Sequence, residues 1–168
     1  MKPNFDILPP FYHGYVNNIK EKEVISALKN SRAECLALFR TIPEIKAEFR
    51  YAEDKWTVKE LINHIIDAER VFAYRALSFA RNDASELPGF EENDWARESN
   101  ANNRTLNSII LEYEHVKQST IDLFESFSEE ALAKKGTANG AIFNVANIGY
   151  VIAGHETHHR NILNERYL

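Results

Sequence analysis

The chain is 168 residues long, 44% hydrophobic and 27% charged, a mix that fits one ordinary globular domain and excludes a disordered or fibrous chain. A formal net charge of −5 argues against the basic face that phosphate neutralisation needs, so no nucleic acid is expected as a partner. A lone cysteine, Cys35, excludes an internal disulfide and a cysteine-based zinc ribbon, and no run reaches the roughly 20 apolar residues of a membrane-spanning helix.

The opening MKPNFDILPPFYHGY is broken by proline and carries an acid where a secretory signal has its apolar stretch, which gives a cytoplasmic expectation. Apolar residues then recur at helical spacing, with no alternating run of β-branched residues. The first helix is predicted over 18–42. Asn18 and Glu21 supply its start signal, and Val24, Leu28, Ser31, Cys35, Leu38 and Ile42 form its inner stripe. Cys35 on that stripe reads as a small core residue. Pro43 closes the helix.

The second helix starts at a clear signal. Thr57 is the N-cap, Glu60 completes a capping box, and Trp56 is placed to staple onto Leu61. It is predicted to run to about Arg81, with Leu61, Ile65, Ala68, Phe72, Ala76 and Phe79 on one face and Ile62 and Ile66 widening the arc. Between Asn82 and Arg104 the pattern dissolves, as it does in connections that cross a fold or cover a site. Phe90 and Trp95 in this stretch either pin the crossing to the bundle or wall a pocket. The third helix is predicted over 105–127, with Leu106, Ile109, Tyr113, Val116, Thr120 and Leu123 inward. A polar, glycine-containing stretch (134–140) follows. The fourth helix starts at the N-cap Asn144, where Phe143 is placed to staple onto Ile148, and continues to near Arg166. Four amphipathic helices can bury their stripes only against one another. The expected fold is all-α, a four-helix bundle with a long crossover between helices 2 and 3.

The six histidines are His13, His64, His115, His155, His158 and His159. On the fourth helix the inner stripe reads Ile148, Ile152, His155, His159, Ile162, so two imidazoles stand where the period calls for aliphatics. Their i, i+4 spacing sets them on one face about 6 Å apart along the axis, which suits two nitrogens converging on one metal ion. Two buried neutral imidazoles both need partners, and a metal answers both needs. A third ligand has to come from another helix. His64, along the edge of the second helix's buried stripe, is the histidine elsewhere that sits in a strongly apolar helical context. His115 is flanked by Glu114 and His13 lies in the proline-rich start. Three imidazoles with an open fourth position describe a catalytic site, whereas a closed structural site would recruit Cys35.

His155-Glu156-Thr157-His158-His159 matches H-E-x-x-H. The longer protease form fails, because Ile162 and Glu165 stand where its glycine and third histidine would be. Glu156 reads either as a general base or as a carboxylate on the helix flank, facing solvent or orienting a ligand. Glu69, near the ligand level of the second helix, reads either as a proton acceptor or as a salt-bridge partner.

Three segments together, KWTVKELINHIIDAERVFAYRAL, LPGFEENDWA and AGHETHHRNILNERYL, resemble the DinB/YfiT-like superfamily of metalloenzymes over nearly the whole chain. The resemblance implies one DinB-like four-helix-bundle domain over 1–168 and a divalent metal, nickel or zinc. It implies that the ion is held by one histidine of the second helix and two of the last, which by motif position are His64, His155 and His159, with His158 left out. It also implies a homodimer acting on a small molecule. That action is either transfer of a low-molecular-weight thiol such as bacillithiol or metal-dependent hydrolysis; the alternative is a non-catalytic, stress-related metal-binding module. Arg75, Arg81, Arg97 and Arg160 are all candidates to bind a carboxylate-bearing thiol.

Overall fold

A computed structural model describes residues 2–168. Four long helices carry the architecture: α2 (Val24–Phe39), α3 (Val58–Ala80), α5 (Leu106–Glu125) and α7 (Val145–Ile162). Helix α7 packs against α2 and α3, and α5 closes the ring against the same two. The short helices are α1 (His13–Val16), α4 (Glu92–Glu98) and α6 (Glu129–Ala133). A two-stranded hairpin of β1 (Lys135–Ala138) and β2 (Ala141–Asn144) completes the fold. No helix among the described residues is long and apolar enough to cross a membrane.

The helix starts follow local hydrogen-bonding chemistry. At α3 the expected box is complete: Thr57 Oγ1 accepts from the Glu60 amide at 3.0 Å and Glu60 Oε2 accepts from the Thr57 amide at 2.8 Å. Thr105 caps α5 and Asn144 caps α7, the latter by accepting from the Asn147 amide at 2.6 Å. The first long helix departs from expectation. It begins at Val24 rather than Asn18, because the Asn18 side chain already donates to the carbonyl of Gly14 in α1 and Glu21 accepts from Asn30. Helix α7 gives way after Ile162 to one π-helical turn over Leu163–Tyr167, where the Tyr167 hydroxyl donates to the Trp56 carbonyl at 2.8 Å.

The hairpin is a second departure from the expected all-helical pattern. Asn139 (φ 51°) and Gly140 (φ 69°) form a turn with both central residues left-handed, the geometry that Asn-Gly favours. Its four register pairs run from Lys135–Asn144 to Ala138–Ala141. The long crossover is also better ordered than its composition suggests. It holds α4 and a 3-10 turn, and Leu87 bridges to the hairpin by donating to the Thr137 carbonyl at 3.0 Å and accepting from the Asn139 amide at 2.9 Å.

The core falls into two apolar clusters. One contains Leu28, Phe72, Phe79, Phe124 and Tyr150, and the other contains Phe39, Ile62, Ile66, Leu106 and Leu163. Between them, along α2, α3, α5 and α7, lies a belt of buried polar side chains: Ser31, Glu69, Lys117 and Glu156, with His155 on the neighbouring face of α7.

Candidate metal centre

His64 reaches this level from α3, and His155 and His159 reach it from successive turns of α7. His64 Nε2 lies 3.0 Å from His155 Nε2, which lies 3.1 Å from His159 Nε2. The three nitrogens are all within 4.8 Å of one another. His64 and His155 are buried and His159 is half-buried. An aromatic wall surrounds them. The Trp56 ring lies 4.6 Å from that of His64, and Tyr15 and Phe72 stand 5.7 and 6.4 Å from His155.

Burial lowers the basicity of all three rings. It holds His64 down at about 4 and pushes His155 and His159 well below the ordinary histidine value, each further depressed by the positive charge its neighbouring imidazoles would carry. Burial favours the neutral rings, whose Nε2 atoms converge on one point, and His155 Nε2 faces two partners while a neutral ring carries only one proton. His159 Nδ1 is buried with no partner. Metal–nitrogen bonds of about 2.0–2.1 Å set neighbouring nitrogens about 2.9–3.4 Å apart, so the donor set fits a divalent cation.

The other histidines are elsewhere. His158 packs its ring 5.1 Å from Tyr15, His13 Nε2 meets the Leu8 carbonyl at 2.9 Å, and His115 is exposed. Cys35 is fully buried, and its Sγ faces the Glu156 carbonyl at 3.8 Å. It does not join the imidazole group, which leaves no closed three-histidine, one-cysteine site.

Glu156 is not on a solvent-facing flank. It is 1% exposed and turned toward the bundle axis, where it accepts from Lys117 Nζ at 2.9 Å and from the Tyr113 hydroxyl at 3.2 Å. Lys117, itself 0% exposed, reaches Glu69 Oε2 at 3.4 Å. Glu69 thus has the ion-pair partner that one of its two readings calls for. Burial opposes the charge on Lys117, but the two carboxylates outweigh it and hold the ammonium protonated. Burial pushes Glu156 upward against the pull of Lys117. One oxygen on each carboxylate, Glu69 Oε1 and Glu156 Oε1, is left without a partner.

Lys117 was not expected from the sequence. The predicted inner stripe of α5 took Val116 and Leu123, which are half-buried, whereas the buried line runs through Ile110, Tyr113, Lys117, Ile121 and Phe124. The signal was a charged residue four positions after Tyr113 in an apolar period, the same kind of interruption that marked His155 and His159.

Two hollows reach the centre and another adjoins one of them. One of about 60 Å³ is bordered by Tyr12, Tyr15, Phe72, Arg75, Glu92 and His155. It shares Arg75, Gly89 and Phe90 with an apolar cavity of about 420 Å³ walled by Val71, Tyr74, Leu87, Phe90 and Trp95. A third, of about 210 Å³, reaches His159 beside Trp56 and Asn93. Phe90 and Trp95, with rings 4.6 Å apart, therefore wall a pocket.

Comparisons with known proteins agree with this architecture. The model of the DinB superfamily matches residues 27–163. A protein of Oceanobacillus iheyensis, named provisionally as a metal-dependent hydrolase, is 30% identical over 112 residues, which are 65% of this chain and 63% of that protein. The chain thus spans less than two thirds of this curated relative's length. Among solved structures, YfiT from Bacillus subtilis superposes with a TM-score of 0.73 over 98% of this chain and 90% of its own. It is 14% identical and is described as a probable metal-dependent hydrolase with an unusual four-helix bundle topology.

Proposed function

The chain belongs to the DinB superfamily, and on that premise we propose that it is a metal-dependent enzyme acting on a small molecule, with His64, His155 and His159 as the ligands. The observation that carries this is the meeting of three neutral Nε2 atoms at 3.0 and 3.1 Å within an aromatic wall. A divalent ion there, nickel or zinc in this reading, supplies Lewis-acid polarisation and lowers the pKa of a bound nucleophile. Imidazole ligands suit both metals.

The protein's own part is preorganisation. Helices α3 and α7 fix the three rings, and Trp56, Tyr15 and Phe72 exclude water and so strengthen every charge interaction at the centre. The smaller hollow brings a substrate to His155. For Glu156 and Glu69, each read from the sequence as a proton acceptor or as a structural carboxylate, the contacts favour the structural role in this proposal. Both turn to Lys117, and neither borders the three hollows.

Hydrolysis is the reading favoured by the names of the two relatives. Transfer of a low-molecular-weight thiol of the bacillithiol type is the second reading. It is favoured by hollows that reach the triad from two sides, one at His155 and one at His159, as two co-substrates would require. A homodimer and one domain over 1–168, which rest on the family resemblance, and a cytoplasmic setting, which rests on the opening segment, complete the proposal. Metal analysis of the purified, untagged chain tests it first, followed by screening of the loaded protein against esters and amides and against thiols paired with monochlorobimane. Stoichiometric metal with turnover that disappears in His155→Ala is the expected result. Metal without turnover in either screen would leave the non-catalytic metal-binding module, and absence of metal would overturn the proposal.

A further inference from the structure

Of the four arginines that could bind an acidic ligand, three are already accounted for. Arg97 pairs with Asp94 and Arg160 with Glu34, while Arg81 is exposed above the Phe127 ring. Arg75 differs from all of them. It is 3% exposed, forms no ion pair among the described residues, and stands at the junction of the hollow at His155 and the 420 Å³ apolar cavity. Its Nη2 donates to the Pro88 carbonyl at 2.7 Å, its cationic carbon lies 5.3 Å from the centre of the Phe72 ring, and Tyr12 borders the same hollow. Nε is buried with no partner. Glu92 borders the same hollow, and among the described residues no ion pair joins it to the guanidinium. A buried cation compensated only by neutral oxygens and a ring face is unfavourable unless something else neutralises it. Burial correspondingly weakens the hold of Arg75 on its proton.

We propose that Arg75 anchors the acidic group of an amphipathic small-molecule anion whose apolar body fills the cavity under Phe90 and Trp95. The cavity lies within the size range of small-molecule sites, and Val71, Tyr74, Leu87, Phe90 and Trp95 give it an apolar wall suited to an aromatic or branched hydrocarbon body. The Asp67 and Arg70 that also border it pair with each other at 3.5 Å. The planar guanidinium matches a carboxylate with two parallel hydrogen bonds. That this ligand is the substrate, held with its reacting bond toward His155, rests on the function proposed above; its binding at Arg75 does not.

The test measures binding of 4-phenylbutyrate and of its neutral analogue 4-phenylbutyramide to the full chain by calorimetry and tryptophan fluorescence. The acid should bind at least about tenfold more tightly than the amide, the scale of one charge-assisted contact. Arg75→Met should remove that preference while Arg75→Lys keeps part of it, and Trp95→Ala should weaken acid and amide alike. His64→Ala, which disables the proposed metal site, should leave the preference intact, so a failure of the metal reading cannot be mistaken for a failure of this one. A purely structural role for Arg75 predicts no difference between acid and amide. Equal binding of the two by the native chain, saturable binding of neither, or a preference that survives Arg75→Met would each overturn the proposal.

Discussion

Helix α7 presents two buried polar faces only one residue apart, and they solve the same problem in opposite ways. On one face Glu156 meets Lys117 and Tyr113, so the charge brought inside is answered by charge from α5. On the other, His155 and His159 meet His64, and every partner is another imidazole nitrogen. The first face is satisfied mainly within the chain. The second is complementary to something the chain does not contain. On this helix, buried polarity points to a ligand where its partners share its own deficiency.

Four measurements would break or sharpen that contrast. Lys117→Met attacks the self-sufficient face and should cost about 3–5 kcal/mol in urea unfolding, since Glu69 and Glu156 lose their shared cation. A loss below about 1 kcal/mol would mean that the two carboxylates need no ammonium, and the contrast would fail. The open face should respond to metal instead. At an ion concentration about a thousandfold above its Kd the native chain should gain about 4 kcal/mol, lost on chelation and absent from His155→Ala at any metal level. Thr57→Ala removes the cap of the helix that presents His64 and should cost about 1 kcal/mol in the same unfolding assay.

The smallest effect is expected on the surface. Glu112 pairs with Arg70 at 2.6 Å and Arg104 at 2.5 Å. Partial burial works to raise its carboxyl pKa, but the hydrogen bonds and charges of Arg70 and Arg104 outweigh it and hold the group below the ordinary glutamate value. A depressed folded-state pKa contributes stability above about pH 4.5 and loses it as pH falls through the folded value. Subtracting the acid titration of Glu112→Gln from that of the native chain should leave a few tenths of a kcal/mol, vanishing at high salt.

Much of the frame was legible in the chain because its signals are local. Thr57 with Glu60 and Asn144 with Asn147 are satisfied within a single turn, so those helix starts could be placed from sequence. The convergence of His64 with the two imidazoles of α7 could be expected because all three interrupt strongly apolar periods. What stayed hidden depends on a neighbour's choice. Asn18 is a good cap that a carbonyl four residues earlier had already engaged. Asn139-Gly140 carried a hairpin signal, but its short flanking strands lack the alternation by which strands are recognised. Arg75 differs from the other arginines in being buried without a carboxylate partner, which no spacing along the chain reveals.

The clasp between Leu87 and the hairpin bears on how molecules come and go. A connection of this length commonly swings open on the microsecond-to-millisecond scale. Here two main-chain bonds stitch it to a strand beside the centre. Traffic into the cavity should accordingly depend on rotation of the Phe90 and Trp95 side chains rather than on a swinging flap, and backbone exchange at Leu87 and Asn139 should be slow.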